Sequence, residues 1–168
     1  MHNTFFASLS ARATPPDALF LRPPRNDPHA KSWTYAGMAA ESARMAQALV
    51  ALGVEPGDRV AAQIEKSPEG LMLYLGTLRA GAVFLPRNTS YTAAELDYFI
   101  GDAEPKVVVC DPARLTAIAE IARGAAVETL DAAGRGTLSD LAARQTGTIS
   151  HSLVMEIDSS SAMPCSPG

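Results

Sequence analysis

Three short polar segments each follow a predicted strand, and they are the places where this sequence could act on a ligand. They are Glu65-Lys66-Ser67, residues 88–91 (NTSY) and Asp111-Pro112. In open α/β sheets, ligands collect beyond the carboxyl ends of the strands. The first segment would present a charge pair and a helix N-terminus to a ligand, and Tyr91 in the second could line a cleft.

Each of these segments also has a structural interpretation, which the residue types favour. Ser67 before a proline is typical of a helix N-cap, and Glu65 with Lys66 would then be a solvated ion pair. Residues 88–91 would close a loop through hydrogen bonds. Asp111 would cap a helix that has Pro112 in its first turn.

No local motif supplies a nucleophile, a general base or a metal site. The segment Gly134-Arg135-Gly136 lacks the third glycine of the dinucleotide-binding pattern and lies late in its unit, so a plain loop is predicted. The sequence has no GxxxxGK[ST], HExxH or GxSxG motif, and His2, His29 and His151 are scattered. Motifs therefore predict no catalytic, cofactor-binding or metal-binding residue, while a triad of distant residues stays open.

Hydrophobic periodicity divides the first third of the chain into elements. Phe5, Phe6 and Leu9 predict a short opening helix before the Pro15-Pro16 pair, and residues 18–21 with 31–33 predict a β-hairpin. A longer helix follows, capped by Thr34 and ended by Gly53. Its predicted inward face consists of Met38, Ser42, Met45, Leu49 and Leu52.

From residue 60 onward, apolar strands alternate with amphipathic helices. Strands are predicted at 60–64, 82–85, 106–110 and 126–130; the first shows alternation and the second a run of buried type. Helices follow Ser67, the capping box of Thr92 and Glu95, and Asp111, and a last short helix contains Leu138 and Leu141. The predicted inward residues are Leu71, Leu75, Leu78, Leu96, Phe99, Ile100, Leu115, Ile118 and Ile121.

This order of elements defines the expected fold class. Repeated strand, helix, strand units build parallel sheets, so we expect a doubly wound, mostly parallel α/β sheet with flanking helices. The opening helix and hairpin precede the sheet. Residues 144–168 are rich in Ser and Thr and end in PCSPG, so a disordered tail is expected there.

Composition points away from nucleic-acid and membrane roles. The 168 residues are 47% hydrophobic, enough for one domain with a core, and the net charge of −4 gives no basic field. No apolar run of about 18 residues or signal peptide occurs. Cys110 and Cys165 lie far apart, which is typical of a reducing compartment, so we expect a cytoplasmic protein.

Several stretches resemble a known family. Trp33-Thr34-Tyr35 and residues 48–61 (ALVALGVEPGDRVA) are similar to the amino-terminal region of adenylate-forming acyl-CoA synthetases. Residues 63–67 (QIEKS), 73–83 (LYLGTLRAGAV) and 96–105 (LDYFIGDAEP) resemble malonyl-CoA synthetases in particular. The resemblance covers about residues 3–143, so we assign 1–143 to the amino-terminal portion of the AMP-binding domain and leave 144–168 unmatched.

The resemblance implies a two-step reaction for full-length relatives. ATP and Mg²⁺ activate malonate as an acyl-adenylate, and the thiol of coenzyme A then displaces AMP. It also implies a lysine-bearing phosphate loop, nucleotide and malonate residues, and a mobile carboxy-terminal domain with a catalytic lysine. None of these occurs in this sequence, whose last lysine is Lys106.

We therefore expect a truncated ligase that is inactive alone and binds no cofactor. Its expected partner is the missing remainder of the ligase, or a second copy through an exposed apolar face. The alternative is a stand-alone flavodoxin-like module that holds a nucleotide at the Glu65 and Asn88 loops. One departure from the family is Arg87, which stands where relatives have an apolar residue; the site is altered or the position is exposed.

Overall fold

The computed structural model describes residue 8, residues 15–22 and residues 32–146. The predicted opening helix and the predicted tail beyond residue 146 lie outside these residues. A two-stranded hairpin comes first, followed by four strands that alternate with helices. None of the described helices has the length and apolarity needed to cross a membrane.

The described elements follow the predicted order. The strands are β1 (Leu19–Leu21), β2 (Trp33–Thr34), β3 (Arg59–Gln63), β4 (Val83–Pro86), β5 (Val107–Cys110) and β6 (Ala126–Thr129). The helices are α1 (Tyr35–Ala51), α2 (Pro68–Arg79), α3 (Ala93–Ala103), α4 (Leu115–Ile121) and α5 (Thr137–Ala143), with a 3₁₀ turn at Pro112–Arg114 before α4.

Strands β3 to β6 form one parallel sheet in the order β4-β3-β5-β6, and β1 pairs with β2 in an antiparallel hairpin. Ala61 of β3 lies opposite Leu85 of β4 on one side and Val108 of β5 on the other. The chain thus leaves β3 toward one edge of the sheet and returns to pair β5 with the opposite side of β3. The predicted doubly wound α/β fold is confirmed.

Alternate residues of the sheet enter two separate cores. Val60 and Ala62 pack with α1, α2 and α5 on one face, whereas Ala61 packs with α3 and α4 on the other. All four residues from Val60 to Gln63 are buried. The predicted polar and apolar alternation of this strand is therefore wrong, because a central parallel strand is covered on both faces. Ile64, which was predicted to end the strand, lies one residue beyond it.

β4 also differs from the prediction of a buried strand. It is an edge strand, and its Val83 side chain is 46% exposed. In α2, Leu75 is buried as predicted, but Leu71 and Leu78 are only half-buried, because the inward face is rotated toward neighbouring positions. That face consists of Met72, Leu73, Leu75, Gly76 and Thr77.

The ends of the helices lie where the capping residues predict them. Thr34 Oγ1 accepts a hydrogen bond from Gly37 N at 3.1 Å, which satisfies one of the free amides at the start of α1. Thr92 and Glu95 form the predicted capping box, and the hydrogen bonds from Thr92 lower the pKa of the exposed Glu95 carboxyl. Gly53 follows α1 with φ +83°, a conformation that glycine adopts without steric cost.

Gly76 allows α1 and α2 to approach each other closely. A Cβ atom at this position would lie 2.6 Å from Met45 Cβ and 3.0 Å from the Ala46 nitrogen. Next to this contact, the Arg79 guanidinium donates hydrogen bonds to Ala39 O at 2.6 Å and to the buried Ser42 Oγ at 3.1 Å. A small residue at 76 and a long donor at 79 thus join the two helices.

Gly76→Ala is expected to destabilise the chain by about 1–2 kcal/mol. The overpacking cost of roughly 1–3 kcal/mol exceeds the gain of about 0.5–1 kcal/mol from replacing glycine within a helix. Gly37→Ala is the matched control, because its Cβ would meet only Thr34 Oγ1 at 3.4 Å and Trp33 at 3.6 Å. Urea unfolding gives the free energy of unfolding of both variants. An equal free energy for the two would contradict the close approach of α1 and α2.

Candidate functional site

The carboxyl ends of β3 to β6 lie at one edge of the parallel sheet, here called the carboxyl edge. The chain runs from β3 outward to β4 and then crosses back past β3 to β5, so the topological switch point lies between β3 and β5. Gln63, the last residue of β3, is opposite Cys110, the last residue of β5. Ligands of open α/β sheets bind at this point, which makes the carboxyl edge the candidate site.

A side-chain clamp holds the loop after β4 at this edge. Gln63 Nε2 donates hydrogen bonds to Asn88 O at 2.8 Å and to Tyr91 O at 3.3 Å. Arg114 Nη1 donates to Thr89 O at 3.0 Å and its Nη2 to Tyr91 O at 2.8 Å. Residues 88–91 are therefore fixed by donors from β3 and from the turn after β5, as the loop-closing interpretation requires.

The side chains of Asn88 and Tyr91 also make structural contacts. Asn88 Oδ1 accepts from Ser90 N at 2.9 Å, which is an Asx turn. The Tyr91 ring stacks on Phe99 with a centroid distance of 5.2 Å and is half-buried. Tyr91 thus packs against α3 rather than standing free at the edge.

The first polar segment lies on a small cavity of about 370 Å³ at the carboxyl ends of β3 and β4. Ser67 Oγ accepts from Gly70 N at 3.0 Å, so the predicted N-cap is confirmed. Glu65 and Lys66 line the cavity but form no ion pair among the described residues. The remaining wall is mostly apolar and includes Ile64, Leu71 and Phe84.

Arg87 lies at the same cavity, immediately after β4. Its side chain is half-buried, and the guanidinium carbon lies 4.8 Å from the centroid of the Phe99 ring. A cation over an aromatic face at this distance is attracted by the ring quadrupole. The arginine that replaces an apolar residue of the family is thus accommodated on α3 and is not simply exposed.

Asp111 and Cys110 have structural roles at the end of β5. The Asp111 carboxylate accepts from Ala113 N at 2.9 Å and begins the 3₁₀ turn, as predicted. Burial raises the pKa of the Cys110 thiol to about 11; the Asp111 charge adds to this increase, and the Arg114 charge opposes it. A thiol with this pKa carries almost no thiolate near neutral pH, so Cys110 is no nucleophile there.

The glycine-containing segment 134–136 is a loop, as predicted. The Asp131 carboxylate accepts from Ala133 N and Arg135 N, both at 2.8 Å. Hydrogen bonding from the Arg135 backbone is the main cause that lowers the pKa of Asp131. A side chain at Gly136, where φ is +146°, would collide with the Thr129 carbonyl, so this glycine lets the loop close over the end of β6.

A second cavity, larger than the first, lies at the amino ends of β5 and β6. It measures about 570 Å³ and lies between the ends of α3 and α4, beside Lys106 and Arg123. Arg123 is already paired there with Asp97 at 2.7 Å. We place the candidate site at the carboxyl edge despite the difference in size, because parallel sheets bind ligands beyond their carboxyl ends.

Within the described part of the chain, no group of three His, Cys, Asp or Glu side chains could hold a metal ion. His2, His29 and His151 lie outside the described residues. Sequence reasoning missed the roles of Gln63 and Arg114. An amide at the end of an otherwise apolar strand was the available signal for Gln63, since buried polar groups need partners.

Arg114→Ala is expected to destabilise the chain by about 1–3 kcal/mol, because the carbonyls of Thr89 and Tyr91 lose charged donors. Arg135→Ala is the control, since its side chain is 80% exposed in its ion pair with Asp131. That exposed pair should contribute little to stability, because solvent screens it. Urea unfolding compares the two variants. A loss no larger for Arg114→Ala than for Arg135→Ala would rule out the clamp.

Known proteins share both the sequence pattern and the fold. The family model described as AMP-binding enzyme matches residues 9–160. The apo crystal structure of MatB from Rhodopseudomonas palustris is 49% identical over 89% of this chain, with a TM-score of 0.82, and ATP-bound MatB gives 0.81. The boundary that we place at residue 143 stays a prediction.

Curated relatives include two ligases of coenzyme A. The long-chain-fatty-acid–CoA ligase FadD13 of Mycobacterium tuberculosis is 42% identical over 45% of this chain. The feruloyl-CoA synthase of an Amycolatopsis species is 35% identical over 62% of this chain. This chain spans 15% and 23% of these two relatives and 30% of MatB.

The family model spans most of the chain, and MatB shares its fold and about half of the aligned residues. The resemblance to malonyl-CoA synthetases stated from the sequence is thereby confirmed. This chain belongs to the AMP-binding enzyme family, as an α/β subdomain similar to the amino-terminal part of MatB.

Proposed function

We propose that this chain is the amino-terminal scaffold of a ligase that joins malonate to coenzyme A, and that it catalyses neither step by itself. The observation that carries the proposal is that several polar groups at the carboxyl edge already form hydrogen bonds within the chain. Ser67, Asn88 and Asp111 each accept a hydrogen bond from a nearby backbone amide, and Gln63 and Arg114 hold the 88–91 loop. These groups build the edge rather than bind a reactant.

Similarity to MatB supports the ligase chemistry. MatB binds ATP, and FadD13 and feruloyl-CoA synthase are named for forming coenzyme A thioesters. In the proposed full reaction, a malonate carboxylate attacks the α-phosphate of ATP and releases pyrophosphate, and the thiol of coenzyme A then displaces AMP. ATP, Mg²⁺ and coenzyme A would thus be cofactors and substrates of the full ligase.

The lysines of this chain support its proposed inactivity. Phosphates of ATP are commonly held by glycine-rich loops and a lysine ammonium. Lys66 precedes the capped start of α2, and residues 64–69 contain no glycine. Lys106 lies just before β5, at the amino ends of the strands. Lys31, the third lysine, lies outside the described residues. Neither described lysine therefore lies in a loop of the kind that adenylation needs.

Malonate-dependent exchange of pyrophosphate into ATP tests the proposal. The purified chain should give a rate indistinguishable from that of a heat-inactivated sample, with R. palustris MatB assayed in parallel. The physical reason is that α-phosphate activation needs preorganised donors around the phosphates, and neither described lysine lies in a glycine-rich phosphate loop. A rate clearly above the inactivated sample would overturn the inactivity and leave the family assignment unchanged.

Calorimetry with ATP, AMP and coenzyme A separates this proposal from a nucleotide-binding module. We expect no saturable heat with any of the three, because the carbonyls of Asn88, Thr89 and Tyr91 already accept hydrogen bonds from Gln63 and Arg114. Saturable binding would favour the flavodoxin-like alternative, with the Glu65 and Asn88 loops as its site. A Lys66→Gln variant would then show whether the cavity at the start of α2 binds the ligand.

The proposed setting and partner follow from the same chemistry. Cys110 and Cys165 lie far apart in sequence, which is consistent with a reducing compartment such as the cytoplasm. We place the chain there, with the remainder of the ligase as its partner. Self-association through an apolar surface is the competing arrangement.

A further inference from the structure

Gln63 is a polar residue at a position where the sheet otherwise has apolar ones. It ends the central strand β3, and only 2% of its surface is exposed. On the same face of the sheet, Ala61 and Cys110 belong to the apolar core beneath α3 and α4. A buried amide costs free energy unless its donors and its acceptor all find partners. Packing alone therefore does not explain an amide at this position.

The hydrogen bonds of Gln63 show what the amide stabilises. Nε2 donates to Asn88 O at 2.8 Å and to Tyr91 O at 3.3 Å. Both partners are carbonyl oxygens, which only accept, so these bonds form in one orientation of the amide. In that orientation Oε1 has no hydrogen-bond partner among the described residues. The fold thus tolerates an unpaired acceptor while the amide holds two carbonyls of the 88–91 loop.

The loop held in this way has a fixed backbone and unused hydroxyl groups. Arg114 donates to Thr89 O at 3.0 Å and to Tyr91 O at 2.8 Å, in addition to the two bonds from Gln63. The hydroxyls of Thr89, Ser90 and Tyr91 form no hydrogen bond with other described residues. Binding residues are commonly placed on loops that a rigid scaffold positions. The fixed carbonyls and the unused hydroxyls together indicate a binding loop.

Arg87 places a positive charge beside these hydroxyls. Its guanidinium carbon lies 4.8 Å from the centroid of the Phe99 ring, on which the Tyr91 ring also stacks at 5.2 Å. Arg87 forms no ion pair with an acidic residue of the described ranges. A guanidinium without an acidic partner, next to hydroxyl donors, suits the oxygens of a phosphate. In the proposed ligase reaction, ATP and coenzyme A are the reactants that carry phosphates.

Malonate is also an anion, but the exposure of the loop favours the phosphates. Asn88 and Ser90 are both exposed. Small ligands are usually enclosed in a cleft that buries most of their surface. An exposed loop instead suits the charged end of a large reactant, part of which stays in water.

We propose that Gln63 is a positioning residue of the ligase, which holds the hydroxyls of residues 89–91 against the phosphates of ATP or coenzyme A. It acts through the Asn88 and Tyr91 carbonyls and touches no reactant itself. The inference rests on the proposed function, which supplies the two reactants. In the chain alone, a few surface donors are too little for saturable binding, because association costs translational and rotational freedom. The remainder of the ligase supplies the other contacts.

The test uses a chimera that joins residues 1–143 of this chain to the corresponding remainder of R. palustris MatB. Gln63→Met removes the amide and keeps an unbranched side chain of similar length. Thr77→Val is the matched control, since the buried Thr77 Oγ1 donates to Leu73 O at 2.9 Å near the C-terminal end of α2. Both variants lose a buried polar group, but only Gln63→Met releases the loop.

Calorimetry gives the dissociation constants of ATP and of coenzyme A for each folded chimera. Gln63→Met should raise one of the two at least about fivefold, because the hydroxyls lose their fixed position. The reactant whose constant rises is the one that the loop contacts. Thr77→Val should change neither constant by more than about twofold, because it lies far from the loop. Unchanged constants for both reactants in folded Gln63→Met would overturn the proposal, as would an equal rise in Thr77→Val.

A variant of the loop itself covers the case in which Gln63→Met does not fold. Thr89→Val, Ser90→Ala and Tyr91→Phe together remove the three hydroxyls and keep the loop carbonyls and the aromatic ring. This triple variant should raise the same dissociation constant at least about fivefold. Adding Gln63→Met should raise it by less than about a further twofold, because the loop then has no hydroxyl to position. No rise in the triple variant, or a further rise as large as that of Gln63→Met alone, would refute the role of Gln63.

Activity separates this inference from the proposed function. In malonate-dependent pyrophosphate exchange, the KM of malonate should differ by less than about twofold between the native chimera and Gln63→Met. A change confined to malonate would overturn the proposal, as would a native chimera that does not fold. A folded native chimera that shows no exchange, but whose dissociation constants respond as expected, would keep the role of Gln63 and refute only the proposed function.

Discussion

Burial of a parallel sheet on both faces is the constraint on which the rest of this structure depends. β3 lies between β4 and β5, so its side chains must fill two cores at once, with Val60 and Ala62 on one face and Ala61 on the other. Helices α1, α2 and α5 cover the first face, and α3 and α4 cover the second. Covering both faces requires that the β3–β4 connection and the β4–β5 connection run in opposite directions across the sheet, and this reversal creates the switch point at Gln63 and Cys110.

The switch point illustrates how a site-like position can have a structural role. Gln63 Nε2 and the Arg114 guanidinium converge on the carbonyls of residues 88–91, so the loop after β4 is held by groups from β3 and from the turn after β5. Gln63 Oε1 is buried and has no hydrogen-bond partner among the residues that the structure describes. Such an acceptor costs free energy, which the two hydrogen bonds of Nε2 offset in part. The loop positions are thus coupled to the packing of the sheet.

The two edge strands of the sheet differ in chemistry. At β6, Glu128 and Thr129 form hydrogen bonds with Thr137, so the loop that Asp131 organises covers the end of that strand. At β4, the residues are apolar and Val83 is 46% exposed, with no further strand paired to it among the described residues. Strand composition alone does not reveal this difference, because it depends on the neighbours that each strand has in the sheet.

The sequence by itself determined the order of the elements, the helix caps at Thr34, Ser67 and Thr92, and the family. The caps depend on hydrogen bonds between residues close in sequence, and the family assignment depends on stretches of sequence shared with relatives. Both can be read from the linear sequence. Tertiary structure alone decided that β4 is an edge strand although Val83-Phe84-Leu85 has the composition of a buried one, because burial depends on which strand lies beside it. It also decided the clamp of Gln63 and Arg114, whose partners lie 23 to 28 residues away and are brought within reach by the crossovers before and after β4.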